Sequence, residues 1–554
     1  MKLTKLSLAM AGILGAGVAA EALAMELYVD TKTQQIFAEP GKGRVLLGEF
    51  QKVGEAAAPV VPKAETAELK AEIQHIKEDL ALKTNELKAL DEHAKDPKYG
   101  ELQINDKGIK FESKDGNFEM AINGRMQIDA QTNVADASPW TGSTPTAIAG
   151  PETGGQLADG ANIRRARLGV EGTYYKDFEY KFEYDFSRGG NSGVAAGITD
   201  AYINWKGYDP FGVKVGSFKE PFSLEEATSN RWLTFIERNM AVNAFSDNPN
   251  AYKTGIALTY SQPRWTAAGA LMTEPAGGGW AYTSSKGSNG NNNRNGASGD
   301  TGWELTGRVT GLPWYEDKTK FLHVGVSGSE RYVNVNKCTE GTKTVTISGN
   351  KVTVPNGSCS TGMTFNSTLN GNVDRTSILS TGILQRLDGK VVDTITRFGG
   401  ESALVYGPFS AQAEYIQTDL SGNGYDNTTL YGYYGYMSYF LTGESRNYKA
   451  KTGAWDRLKP TRNFDMKGGL GAWELAAGYD FLDLTDKTVN GGRAATAKFG
   501  INWYPNSHLK MMANFIHVLE VQMPGSYGTP KTGDASNFDG SNLDMFELRG
   551  QVDF

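Results

Sequence analysis

Residues 178–187 read Phe-Glu-Tyr-Lys-Phe-Glu-Tyr-Asp-Phe-Ser, five aromatic rings alternating with Glu179, Lys181, Glu183, Asp185 and Ser187. A β-strand repeats every two residues, so this run puts its rings on one face of a sheet and its charges on the other. The same dyad recurs along the chain. Phe118, Met120, Ile122, Gly124, Met126 and Ile128 alternate with Glu119, Asn123, Arg125, Gln127 and Asp129. Ala495, Ala497, Phe499, Ile501 and Trp503 alternate with Thr496, Lys498, Gly500 and Asn502. At the end of the chain Phe546, Leu548, Val552 and Phe554 alternate with Glu547, Arg549, Gln551 and Asp553.

A soluble β-sandwich could give the same alternation. Three features select a membrane wall instead. The strands run to ten or more residues, the length that crosses a bilayer at a tilt. Aromatics crowd their ends (Tyr174, Tyr175, Trp205, Trp265, Trp314, Tyr315, Trp503, Tyr504), where an interfacial girdle belongs. The chain closes an amphipathic strand on Phe554, as bacterial outer-membrane proteins commonly do.

Sixteen such segments start near residues 117, 161, 177, 197, 212, 252, 264, 301, 319, 393, 409, 429, 471, 491, 508 and 543. The expected fold class is therefore all-β: a 16-stranded antiparallel transmembrane β-barrel over 101–554, both of whose ends lie in the periplasm. Connections after even strands should then be short. Tyr175-Lys176, 206–210, Gln262-Pro263, Gly407-Pro408 and Pro505-Asn506 obey. Those after odd strands are longer, at 132–160, 219–251, 275–300, 333–392 and 522–542. One segment breaks the rule, because 442–470 follows an even strand and is long. Either the count slips there or a periplasmic turn folds back into the barrel. A barrel of this size encloses an aqueous channel.

The residues before the barrel have other compositions. Lys2 and Lys5, the apolar run Leu6 to Ala20 and Ala22-Leu23-Ala24 read as a signal peptide over 1–24. Residues 25–63 read as a small β-hairpin (Leu27–Val29 with Gln35–Phe37) followed by an Ala/Pro/Val linker. Leu69, Ile73, Ile76, Leu80, Leu87, Leu90 and Ala94 share a heptad seam broken only by Lys83, so 64–97 reads as an α-helical coiled coil in the periplasm. Ile at both core positions leans towards three strands, with a lone solvated helix as the alternative.

Composition excludes several classes. Two Cys among 554 residues make no disulfide scaffold, and five scattered His make no metal centre, so neither metal nor cofactor is expected. A net charge of −7 gives no reason to expect nucleic acid. His323, His508 and His517 stand in no nucleophile motif, so the chain is not read as an enzyme. Cys338 and Cys359 flank two strand-like runs in one long loop and are expected to form a disulfide in an oxidising compartment.

Several stretches resemble the phosphate-selective porin O and P family. They are Ile122-Asn123-Gly124-Arg125-Met126-Gln127, Arg164-Arg165-Ala166-Arg167-Leu168-Gly169-Val170-Glu171-Gly172, and Val215-Gly216-Ser217-Phe218-Lys219-Glu220-Pro221-Phe222-Ser223-Leu224-Glu225 with Phe235-Ile236-Glu237-Arg238. Phe440-Leu441-Thr442-Gly443-Glu444-Ser445-Arg446 and Gly471-Ala472-Trp473-Glu474-Leu475 are also similar. The resemblance implies a homotrimer of sixteen-stranded anion channels in outer-membrane lipid, narrowed by inward-folded segments.

An anion pore needs fixed cations where its walls focus the field. On the alternation, Arg125, Arg165, Arg167, Lys181, Lys498 and Arg549 face the lumen, and the first three also match the family's motifs. Lys219 opens the family's third extracellular loop, although 219–251 is acidic here. Segment 444–467 holds Arg446, Lys449, Lys451, Arg457, Lys459, Arg462 and Lys467 against Glu444, Asp456 and Asp465, which makes it a candidate basic constriction. The competing reading for each cation is a solvated loop charge or a partner in a lumen ion-pair lattice, since Glu119, Asp129, Glu171, Glu179, Glu183, Asp185 and Glu547 line the same face. The expected function is a diffusion channel for small anions, phosphate and polyphosphate among them. The alternative is a general, weakly selective porin acting mainly as an envelope anchor through its coiled coil.

Overall fold

The computed structural model describes residues 25–31, 36–50, 74–88, 100–105, 108–135, 159–188, 197–247, 252–273, 302–332, 342–347, 350–355, 365–373, 378–381, 384, 392–422, 425–487, 489–522 and 543–554. It divides into two units, 1–95 and 96–554. In the first, Met25–Asp30 is the middle strand of three, between Ile36–Phe37 and Arg44–Phe50, one strand more than the expected hairpin. Residues 74–88 are helical, with Ile76, Leu80 and Leu87 exposed. The signal peptide, the linker 51–63, the remaining heptad residues, Cys338 and Cys359 lie outside the described residues.

The second unit is a closed barrel. Its wall strands are β1 (Phe118–Ala135), β2 (Gly160–Tyr174), β3 (Phe178–Asp185), β4 (Gly197–Tyr208), β5 (Phe211–Lys219), β6 (Tyr252–Ser261), β7 (Trp265–Met272) and β8 (Trp303–Asp317). The second half comprises β9 (Lys320–Tyr332), β10 (Thr394–Tyr406), β11 (Phe409–Gly422), β12 (Tyr425–Phe440), β13 (Ala472–Asp486), β14 (Val489–Asn506), β15 (Leu509–Gln522) and β16 (Leu543–Asp553). Each pairs antiparallel with its chain neighbours, and β16 closes on β1 from Leu543↔Ala135 to Asp553↔Arg125. The sixteen strands of the sequence reading are all present. A further hairpin, Glu101–Asn105 with Gly108–Glu112, pairs with residues 119–122 of β1, just beyond the stretch that β16 occupies.

Closure is completed by the last residue. Gly124 and Phe554 exchange backbone hydrogen bonds of 3.0 and 3.1 Å. A Cβ on Gly124 would stand 2.6 Å from Phe554 Cζ, so glycine makes room for the terminal ring.

The wall is apolar outside and polar inside. Phe182, Val215, Ile256, Val326, Phe499 and Leu548 are exposed, while Arg125, Gln127, Asp129, Glu183 and Asp185 are buried. Lipid solvates the first set, and the second must find partners within the lumen. Three connections, through residues 220–247, 365–373 and 442–470, fold inward to supply them. Residues 220–247 carry two short helices, Leu224–Ala227 and Met240–Val242. Their Phe222, Phe235, Met240 and Phe245 build an apolar core with Phe365 and Leu369 and with Ile416, Leu482, Ile516 and Met545 of the wall. The lumen beside β10–β16 is therefore filled. Along β3 the inward side chains stay partly accessible only at the Glu179 end, with Lys181 20 % and Glu179 41 % exposed, while Glu183 and Asp185 are buried.

In the long loop that carries both Cys, Thr342–Ile347 pairs with Asn350–Pro355.

Candidate ion pathway

The inward guanidiniums are spent as struts. Arg125 pairs with Glu183 at 2.5 Å, and Arg167 pairs with Glu183 at 3.0 Å and Asp185 at 2.8 Å. Arg165 stands 3.6 Å from Glu237, which also takes Arg164 at 2.9 Å and Arg549 at 2.8 Å. Lys219 meets Glu226 at 2.9 Å, and Lys253 bridges Glu220 and Glu304 at 2.6 Å each. Arg308 holds Glu401 at 2.6 Å. All seven of these carboxylates, Glu183, Asp185, Glu220, Glu226, Glu237, Glu304 and Glu401, are fully or almost fully buried. Buried charges persist only when paired, and here the pairs also tie segment 220–247 to the wall. Burial alone would raise the Glu237 carboxyl, but Arg164, Arg165 and Arg549 hold it well below the usual range. Lys510 Nζ donates to Leu233 O at 2.6 Å, and Asn502 Nδ2 to Thr234 O at 2.9 Å, fixing the middle of the insert.

The rule-breaking connection also folds inward, so the strand count stands. Leaving β12, it turns at Gly443 and forms a small hairpin, Tyr448–Lys449 with Ala454–Trp455. Gly453 closes that hairpin in the left-handed region at φ 58°, where glycine carries no Cβ penalty. The tip reaches the far wall. Ser261 Oγ of β6 donates to Lys451 O at 2.9 Å, and Arg308 Nη2 of β8 donates to Gly453 O at 2.7 Å. Tyr448 shares a 2.7 Å hydrogen bond with His323 Nδ1, and Trp455 Nε1 donates to Gln412 Oε1 at 2.6 Å.

The basic residues of this turn fall into three groups. Arg446 is buried, its guanidinium 3.8 Å over the Trp455 ring, and has no ion pair among the described residues. Arg457 pairs with Asp553 and stacks 4.7 Å over Trp232 at the root of the turn. Arg462 pairs with exposed Asp465 at 2.8 Å. That contact, with backbone amides of Gly469 and Lys467, lowers the Asp465 carboxyl to about 2. Lys449, Lys451 and Lys459 are exposed and have no ion pair among the described residues.

Sequence reasoning missed Lys214. It lies on β5 between Val213 and Val215, on the parity opposite exposed Val215, and contacts aromatic rings in place of a carboxylate. Its parity was the available signal, a single basic residue between two outward valines.

A family model described as phosphate-selective porin O and P matches residues 148–524. Porin O of Pseudomonas aeruginosa is 28 % identical over 431 residues, which cover 74 % of this chain and 85 % of that protein. Among solved structures, OmpT, an outer membrane protein of Vibrio cholerae, aligns with a TM-score of 0.44 and 10 % identity over 79 % of this chain and 98 % of its own. An anion-selective porin from Comamonas acidovorans aligns with a TM-score of 0.42 and 11 % identity over 79 % and 100 %.

Proposed function

Because the chain belongs to the phosphate-selective porin O and P family, we propose that this outer-membrane porin is a water-filled channel for small anions, drawn past lysines on its inward-folded turn. One observation carries the reading. Lys449 and Lys451 are exposed, lack ion pairs among the described residues, and sit on a tip that touches β6 and β8 across the lumen. An uncompensated charge at a narrowing between low-dielectric walls acts on a permeant ion with little screening. The wall guanidiniums contribute less, since each adjoining carboxylate cancels the far field of its Arg. Phosphate and polyphosphate fall within the solute class.

The assembly we propose is a homotrimer whose heptad segments 64–97 pair in the periplasm. Ile76, Leu80 and Leu87 support it, because the helix 74–88 leaves these apolar side chains exposed in one chain.

The test is the double charge reversal Lys449→Glu/Lys451→Glu, recorded in planar bilayers under a tenfold KCl gradient. Both side chains are exposed, so the barrel folds, which retained heat-modifiability on gels would verify. The expected outcome is a reversal potential moved towards potassium. An unmoved potential would remove these lysines from the pathway.

A further inference from the structure

We propose that the lumen wall at β4–β6 holds a selectivity-determining subsite for amphipathic organic anions, a carboxylate on an apolar body, with Lys214 as its charge and Tyr202 beside it. The inference rests on the anion-channel reading and narrows its solute class.

Lys214 Nζ lies 4.3 Å from the Tyr202 ring centroid and 5.4 Å from that of Phe218. It has no ion pair and no hydrogen bond among the described residues. Nearby acids are already engaged: Asp200 takes Lys181 at 3.0 Å, and Glu179 takes Lys206 and Asn204. An ammonium carries three N–H donors, and ring faces satisfy its charge without accepting those hydrogens as an oxygen would. The remaining acceptors must come from water or from a passing solute.

The surroundings say which solute. Tyr202 and Phe218 meet edge to face at 6.4 Å, and Phe218 packs with Ala257, Ala270 and Met272. These residues share the inward parity, because their neighbours Ile203, Ile256 and Leu271 are the exposed, lipid-side ones. This cluster puts apolar residues on the inside of the wall, apart from the lumen-filling core around Phe222 and Phe235. Beside one free ammonium it complements a monoanion with an apolar part. A phosphate dianion would be better held by a guanidinium fork, and the guanidiniums of Arg125, Arg165 and Arg167 already face Glu183, Asp185 and Glu237.

The experiment adds benzoate or inorganic phosphate to the native full chain conducting KCl in a planar bilayer, and repeats it with Lys214→Gln and Lys214→Arg. Lys214 anchors no other side chain, so both variants keep the wall. Benzoate should reduce the chloride current of the native channel. In Lys214→Gln the concentration for half reduction should rise about tenfold, the worth of one charge-assisted contact, with the phosphate response unchanged. Lys214→Arg should restore the benzoate response. Benzoate acting alike on the native channel and Lys214→Gln would overturn the subsite, as would equal losses for benzoate and phosphate. A reversal potential on the potassium side would instead overturn the anion-channel reading beneath it.

Discussion

Glu183 shows what a lumen carboxylate does at the scale of one residue. It is buried and receives both Arg125 and Arg167, so removing its charge leaves the Arg125 guanidinium without an ion pair and Arg167 with Asp185 alone. Breaking one partner of a buried pair costs about 3–5 kcal/mol. Glu183→Gln should therefore unfold at a clearly lower temperature in detergent while leaving the reversal potential in place. An unchanged unfolding temperature would mean that the network contributes nothing to the fold. Gly124 makes a second case. Gly124→Val should lower barrel yield by displacing the Phe554 ring, and adding Phe554→Ala should recover part of it, because the two residues share one contact. A double variant no better than the single one would refute the contact. Parity assigned Arg125, Arg165 and Arg167 to the lumen from sequence. A lumen ion-pair lattice with Glu183 and Asp185 was the competing reading, but the partner of each Arg was not legible, since alternation gives only the face of a side chain and Glu237, the partner of Arg165, sits on a distant insert. Lys214 escaped notice for the converse reason: a single lysine among Gly and Val breaks no pattern.

At the scale of elements, two of the inward folds divide the work. Segment 220–247 fills the lumen and is clamped through Glu237, whose carboxyl three guanidiniums hold well below the usual range. A carboxyl depressed in the folded state adds stability that is complete above its unfolded pKa and lost only as pH falls through the folded one. The conductance of the native channel should thus hold steady from pH 7 to about pH 4.5, and fail only in stronger acid. A conductance step near pH 5 would contradict this clamp. The turn after β12 was legible as an anomaly, a long connection where the topology demanded a short one. Its position was not, because the hydrogen bonds that place its tip, from Ser261 and Arg308, come from strands far away in sequence. In the insert, the acidic balance was visible in the sequence, whereas its apolar core of Phe222, Phe235, Met240 and Phe245 was not read as lumen filling.

For the whole molecule, the barrel was readable because period two recurs through sixteen strands, interrupted only locally by bulges such as those at Gln127/Ile128 and Ala495/Thr496. The net charge of −7 was uninformative, since paired lumen charges cancel locally and permeant ions meet only what remains. Arg446 and Lys510 also lack ion pairs among the described residues but are buried against Trp455 and Leu233 O, so the accessible unpaired cations include Lys449 and Lys451 on the turn and Lys214 on the wall. The central claim is that these set the sign of selectivity. The most direct measurement is the zero-current potential of the native channel in a planar bilayer under a tenfold KCl gradient. The account predicts a potential on the chloride side of zero; a potential on the potassium side would contradict it.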